Sequence, residues 1–188
     1  MVCQRITFIL LTQKSDEELA KLTQNGDFNA FDELTDRYWA RIQRFLLNMF
    51  DHASAADVTQ QSLLRAYQKI HLFNVQQNFA PWLFTIARRV AINVRKKDLK
   101  RKETSFSDET LSDVAEENEN SLIQPLWALA SKVLNANSYQ AMRLHYAEDL
   151  SIREIAKIMN RTETGIKVML FRSRQVLSEK AKSRGISL

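Results

Sequence analysis

The sequence predicts an all-α protein built as two small helical units, and three observations carry that expectation. Its 188 residues include three Gly and two Pro, too few turn-formers for a chain of tight hairpins. Apolar residues recur at helical spacing through most of the chain, and two of these runs open on a Ser followed three residues later by a Glu, at Ser15/Glu18 and Ser151/Glu154. Between the two halves the composition turns acidic and polar, as a linker does.

Residues 1–14 read as an N-terminal extension. Ile6 to Leu11 form an apolar run too short to span a bilayer, and no small-residue cleavage site follows it. The first helical unit is expected over 15–102. Leu19, Leu22, Phe28, Phe31, Leu34, Tyr38, Ile42, Phe45, Leu46 and Met49 supply the apolar faces of two helices. Asp51 to Ala55 predict a turn, and Val58, Leu63, Leu64, Tyr67 and Ile70 a third helix. A polar stretch, Asn74 to Asn78, then leads to Phe79, Pro81 and Trp82, with Pro81 suited to the first turn of a fourth helix.

That fourth helix is expected to bury Leu83, Ile86, Ala87, Val90 and Val94, while Thr85, Arg89, Asn93 and Lys96 share another face. Between Arg88 and Lys102 stand eight basic residues and one acid. Charge this dense usually meets phosphate, although an acidic partner or a membrane surface also attracts it. Of the aromatic residues at the head of the helix, Phe84 is expected in the core; Trp82 suits either the core or a stack on unpaired bases.

Residues 103–125 are the expected linker. From Thr104 to Pro125 there are six acids and no Lys or Arg. Fully extended at about 3.3 Å per residue, this stretch reaches roughly 70 Å, about two turns of duplex DNA.

The second unit, 126–188, carries a helix-turn-helix pattern. Ser151 and Glu154 have capping-box spacing, and Ile152, Ile155, Ala156 and Met159 form the first apolar stripe. Asn160 suits a left-handed turn and Thr162 an N-cap, with Glu163 in the first turn. In the second helix Ile166, Leu170, Ser173 and Leu177 face inward; Thr164, Lys167, Val168, Phe171, Arg172 and Gln175 face out. Val168 and Phe171 on an outward face flanked by Lys167 and Arg172 fit thymine methyls beside phosphates in a major groove.

Lys plus Arg exceed Asp plus Glu by 27 − 22 = 5. Cys3 is the sole cysteine, which excludes an intrachain disulfide and fits a reducing cytoplasm. His52, His71 and His145 have no metal-ligand spacing. No paired carboxylates, Cys/His cluster or Gly-rich phosphate loop is present, so no enzyme, catalytic residue, metal or cofactor is expected.

The blocks RAYQKI, FAPWLFTIARRVAIN and LSIREIAKIMNRTETGIKVMLFRSRQVL resemble the conserved regions of extracytoplasmic-function sigma factors, over about residues 15 to 180. The resemblance implies a sigma domain two at 15–102, which binds core RNA polymerase and opens the minus-ten element. It implies a sigma domain four at 126–188, which reads the minus-thirty-five element. On this basis Asp57, Gln60, Gln61, Leu64 and Arg65 are the polymerase-binding candidates. Asn74, Gln76, Gln77 and Asn78 stand where the family captures a flipped base, and Trp82, Arg88, Arg89, Asn93 and Lys96 on its strand-opening helix. Arg161, Thr162, Glu163, Lys167, Phe171, Arg172 and Arg174 correspond to its duplex-reading contacts. The implied partners are core polymerase and promoter DNA, with an anti-sigma factor as a candidate third and no insertion into a membrane.

Gln61 departs from a common Glu, Arg89 from a frequent Asn and Asn93 from a frequent Asp, while Thr164-Gly165-Ile166 replaces the more usual Gly-Thr-Val. Two other functions are compatible with parts of the pattern: a stand-alone helix-turn-helix regulator with an N-terminal ligand or dimerisation domain, and an enzyme acting on nucleic acid, for which no constellation speaks.

Overall fold

Ser15 starts the first helix: its hydroxyl accepts the Glu18 N–H at 3.2 Å and the Glu18 carboxylate accepts the Ser15 N–H at 2.8 Å. The reciprocal pair satisfies two backbone donors that a helix end leaves over. The structure is a computed structural model describing residues 11–104 and 124–183, with eight α-helices among them. Helix α1 (Asp16–Gln24) ends at Gly26, whose φ of +95° favours glycine. Asp27 caps α2 (Phe28–Leu46), and Asp51 caps α3 (His52–Lys69) through the Ser54 N–H at 2.7 Å. The turn expected at Asp51 to Ala55 is therefore a cap alone. The Asp51 carboxylate satisfies an orphan N–H, and the helix begins at His52.

A 3-10 turn (Ile70–Leu72) leads to α4 (Phe79–Thr104), where the Phe79 N–H donates to Glu17 Oε1 at 3.0 Å. Helices α1 to α4 close around Tyr38, Phe45, Phe79, Phe84 and Leu83, all essentially without solvent contact. The rings meet edge to face, Phe45 and Phe84 at 5.2 Å and Phe73 and Phe79 at 5.3 Å. Each fully buried large side chain contributes about 1.5–3 kcal/mol. Phe84 is core, as expected. Phe28 is not: as the first residue of α2 it is 66% exposed, its ring 6.1 Å from Tyr67. Val90 and Val94 are only partly buried. Arg37 ties the segment before α1 to α2, donating to the Thr12 and Lys14 carbonyls and pairing with Asp16 and Glu33.

The second unit comprises α5 (Gln124–Val133), α6 (Ala136–Tyr146), α7 (Ile152–Met159) and α8 (Glu163–Ser183). Helix α8 is its hub, touching the other three. Leu129, Leu144, Ile155, Ile166, Leu170 and Leu177 fill the interior. Arg143 lies over the Trp127 ring at 4.5 Å. Helix α4 continues to Thr104 and α5 already starts at Gln124, so both ends of the expected linker are helical. Its acidic centre, like the apolar run before Leu11, lies outside the described residues.

The two units pack on each other, α4 against α7 and α2 against α6. Arg41 Nη2 meets Glu148 Oε2 at 2.6 Å, with the Glu148 side chain 2% exposed. Asn48 Nδ2 donates to the Ser131 carbonyl at 2.6 Å, and the Tyr139 hydroxyl to the Arg44 carbonyl at 3.2 Å. Polar hydrogen bonds thus run across the seam, whereas the interior of each unit is apolar.

Candidate nucleic-acid interface

The helix-turn-helix takes its shape from its two caps and the turn between them. Ser151 and Glu154 form a second reciprocal cap on α7. Asn160 adopts φ 51° and ψ 55°, the left-handed conformation that ends α7, and the Arg161 N–H returns to the Ala156 carbonyl at 2.9 Å. Thr162 Oγ1 accepts the Gly165 N–H at 3.1 Å. A Cβ at Gly165 would itself meet Thr162 Oγ1 at 3.1 Å, so glycine leaves the cap uncrowded.

Ile166, Leu170, Ser173 and Leu177 are buried on α8. Lys167, Phe171, Arg172 and Arg174 are exposed on its far side, with Arg161, Thr162 and Glu163 exposed at its start. Phe171 is 54% exposed and Val168 42%. A bare ring and a branched methyl pair between cations make an outward face suited to base methyls and phosphates.

On α4, Arg89, Asn93 and Lys96 are exposed on one side of the helix. Trp82 is half-buried, packed on Phe73 at 5.2 Å and Phe79 at 5.5 Å, so the aromatic cluster fixes its ring. Arg88 departs from expectation. It is 9% exposed, bonded to the Gln140 side-chain oxygen and to Asn137 Oδ1 at 3.0 Å, both on α6. The second unit covers it, a tertiary contact that helical periodicity does not encode. Burial first, and then the Arg161 charge, pull its pKa below the ordinary guanidinium value.

The loop before α4 holds Asn74, Gln76, Gln77 and Asn78, all exposed. Asn74 Oδ1 accepts the Gln76 N–H at 3.0 Å and its carbonyl the Gln77 N–H at 2.9 Å, which shapes the turn. Asn78 Nδ2 donates across the seam to Glu154 Oε1 at 2.9 Å. Asp57, Gln60, Gln61, Leu64 and Arg65 are exposed on α3, whose Thr59, Ser62 and Leu63 face inward. Leu64 is 57% exposed, and one turn on, Tyr67 meets the bare Phe28, so an apolar strip borders the polar row.

The seam residues Arg41, Asn137, Gln140 and Glu148 carried no signal in the sequence. Arg41 and Glu148 lie 107 positions apart, and each alone looks like a charge on a solvated helix end.

Residues 33–102 match the family model for Sigma-70 region 2, and residues 133–177 that for Sigma-70, region 4. The ECF RNA polymerase sigma factor SigM of Bacillus subtilis is 32% identical over 155 residues, covering 78% of this chain and 91% of that protein. The chain belongs to the ECF RNA polymerase sigma factors. A second relative of this sigma factor, the ECF RNA polymerase sigma factor BldN of Streptomyces coelicolor, is 30% identical over 168 residues, 86% of this chain and 64% of that protein. The fold of the sigma factor is shared with RpoE of Bartonella quintana, solved with the anti-sigma factor NepR, at 23% identity and a TM-score of 0.68 over 81% of this chain and 96% of that one. It is shared also with CnrH, solved with the cytosolic domain of CnrY, at 18% identity and a TM-score of 0.65 over 90% of this chain and 99% of that one. Among the described residues no helix is long and apolar enough to cross a membrane.

Proposed function

We propose that this sigma factor grips a promoter at two places on behalf of core RNA polymerase, the first helical unit opening the minus-ten element and the second reading the minus-thirty-five element. The observation that carries this reading is the outer face of α8, where Lys167, Val168, Phe171 and Arg172 stand uncovered beside a fully formed helix-turn-helix. Arg161, Thr162, Glu163 and Arg174 frame that contact. On α4, Arg89, Asn93 and Lys96 hold phosphates while the Asn74–Asn78 amides receive an unpaired base. The row Asp57, Gln60, Gln61, Leu64 and Arg65 meets the polymerase, with Phe28 and Tyr67 extending its apolar border.

The protein does no covalent chemistry of its own and works in the cytoplasm. The few kcal/mol lost per unstacked base step are offset by stacking, amide hydrogen bonds and phosphate contacts. An anti-sigma factor is a further partner, supported by the structural relative solved with the anti-sigma factor NepR. Arg88 enters the DNA contact only after the seam parts. The decisive experiment is reconstitution: core polymerase plus this protein should transcribe from a cognate promoter in a randomised library, and no selected promoter at all would refute the reading. A gel shift without core enzyme separates it from a stand-alone regulator, which binds duplex tightly by itself.

A further inference from the structure

The seam borders a half-open cleft of about 600 Å³. Four cations line it, Arg88 and Arg89 from α4 and Lys157 and Arg161 from α7 and the turn after it, and no Asp or Glu is among the lining residues. Arg88 is nine-tenths buried, yet its partners are the neutral amides of Gln140 and Asn137. No carboxylate pairs with it among the described residues. A buried guanidinium normally has a counter-charge, because desolvation costs several kcal/mol that neutral dipoles offset only in part. Arg161 sits close enough to repel it. The closed seam thus carries an unbalanced positive charge at its centre, held in a pocket open to solvent. Ile92, Ile158 and Met159 supply an apolar wall beside the cations.

We propose that this cleft binds a small phosphate-bearing anion, from pyrophosphate to a nucleoside polyphosphate in size, and that the bound anion holds the two helical units together. The anion neutralises Arg88 and screens it from Arg161, so its affinity for the closed arrangement exceeds that for the open one, in which the four cations part. Linkage then requires the anion to shift the molecule toward the closed arrangement in proportion to that difference. The site is defined without reference to polymerase or promoter, so its test contains neither.

The experiment uses the full chain with Cys3→Ser and donor and acceptor dyes on Lys21→Cys and Glu179→Cys, both exposed and away from the cleft. Pyrophosphate and ATP are titrated separately at a constant ionic strength of about 0.15 M, with calorimetry beside the energy-transfer reading. Saturable binding with increased transfer efficiency is expected. Tighter binding of ATP marks a nucleotide, and equal binding marks the phosphate group alone. Arg161→Gln with Lys157→Gln should weaken binding at least about tenfold, the loss of charge-assisted contacts. Helical content and melting temperature check that this variant folds, and Arg95→Gln with Lys97→Gln serves as the control for charge outside the cleft. No saturable binding, equal weakening in both variants, or binding with unchanged transfer efficiency overturns the proposal. Binding of an oligonucleotide but neither small anion overturns it as well.

Discussion

Lys167 stands on the uncovered side of α8 beside Phe171, and nothing in the described fold leans on it. Lys167→Ala should therefore cost about 1–3 kcal/mol of minus-thirty-five discrimination, roughly five- to 150-fold, with polymerase affinity unchanged. Fluorescence anisotropy on promoter duplexes with preformed holoenzyme measures the first, and titration of labelled protein with core enzyme the second. Arg89 is the exposed neighbour of the buried Arg88. Arg89→Ala should slow promoter opening about tenfold, the loss of one charge-assisted contact of about 1.4 kcal/mol, and weaken the closed complex less. Stopped-flow fluorescence of an unstacking reporter base distinguishes the two steps. Residue by residue, the outer face of α8 was legible in the sequence because helical geometry alone decides which side chains point away from an apolar stripe. Arg88 was not legible, since the same geometry places it beside Arg89 and only a distant helix decides that one is buried and the other bare.

The helices are delimited by local chemistry, and two of their ends yield quantitative expectations. Asn160 ends α7 at φ 51°. Asn160→Ala puts a residue that tolerates the left-handed region less well than asparagine into that conformation and should destabilise the protein by about 1 kcal/mol, while Asn160→Gly should not; thermal melts of both give the comparison. At the start of α3, the Ser54 backbone N–H holds the Asp51 carboxyl below its usual value. A depressed folded pKa means the cap stabilises above the unfolded value of about 3.9 and that its contribution is lost as pH falls through the lower folded value. Wild type should melt above Asp51→Ala at pH 7, and the gap should close toward pH 3. Caps that are matters of three or four adjacent residues were readable, as at Ser15, Ser151 and Thr162, and so was the left-handed turn at Asn160. The expected turn at Asp51 to Ala55 and the expected burial of Phe28 went wrong for the complementary reason. Composition marks where a helix begins only to within a few residues, and Phe28, as the first residue of α2, has no preceding helical turn for its side chain to lie over.

On the scale of the molecule, the seam between the units contains a buried carboxylate. Glu148 is paired with Arg41, which also lies over the Tyr38 ring at 4.2 Å. Removing Arg41 would strand that carboxylate in a poorly solvated place, a cost of about 3–5 kcal/mol if the seam stayed shut. The molecule has a cheaper response, which is to let the units separate and rehydrate Glu148. Arg41→Ala should raise the radius of gyration in small-angle scattering while helical content stays at the wild-type level. A fall in helicity without expansion would instead mean that the two units are one cooperative core. The arrangement of the halves was invisible in the sequence, because the contacts across the seam, hydrogen bonds and the packing of α4 on α7 alike, join residues scores of positions apart and leave no periodic trace.

While Arg88 is held by α6 and Asn78 by Glu154, the outer side of α8 stays bare. On the proposed assignments, every duplex-reading side chain is open from the outset, whereas two of the strand-opening set, Arg88 and Asn78, are engaged across the seam. The protein thus meets paired DNA with its reading face complete and separated strands with a set still short of two members, which come free only when the halves part.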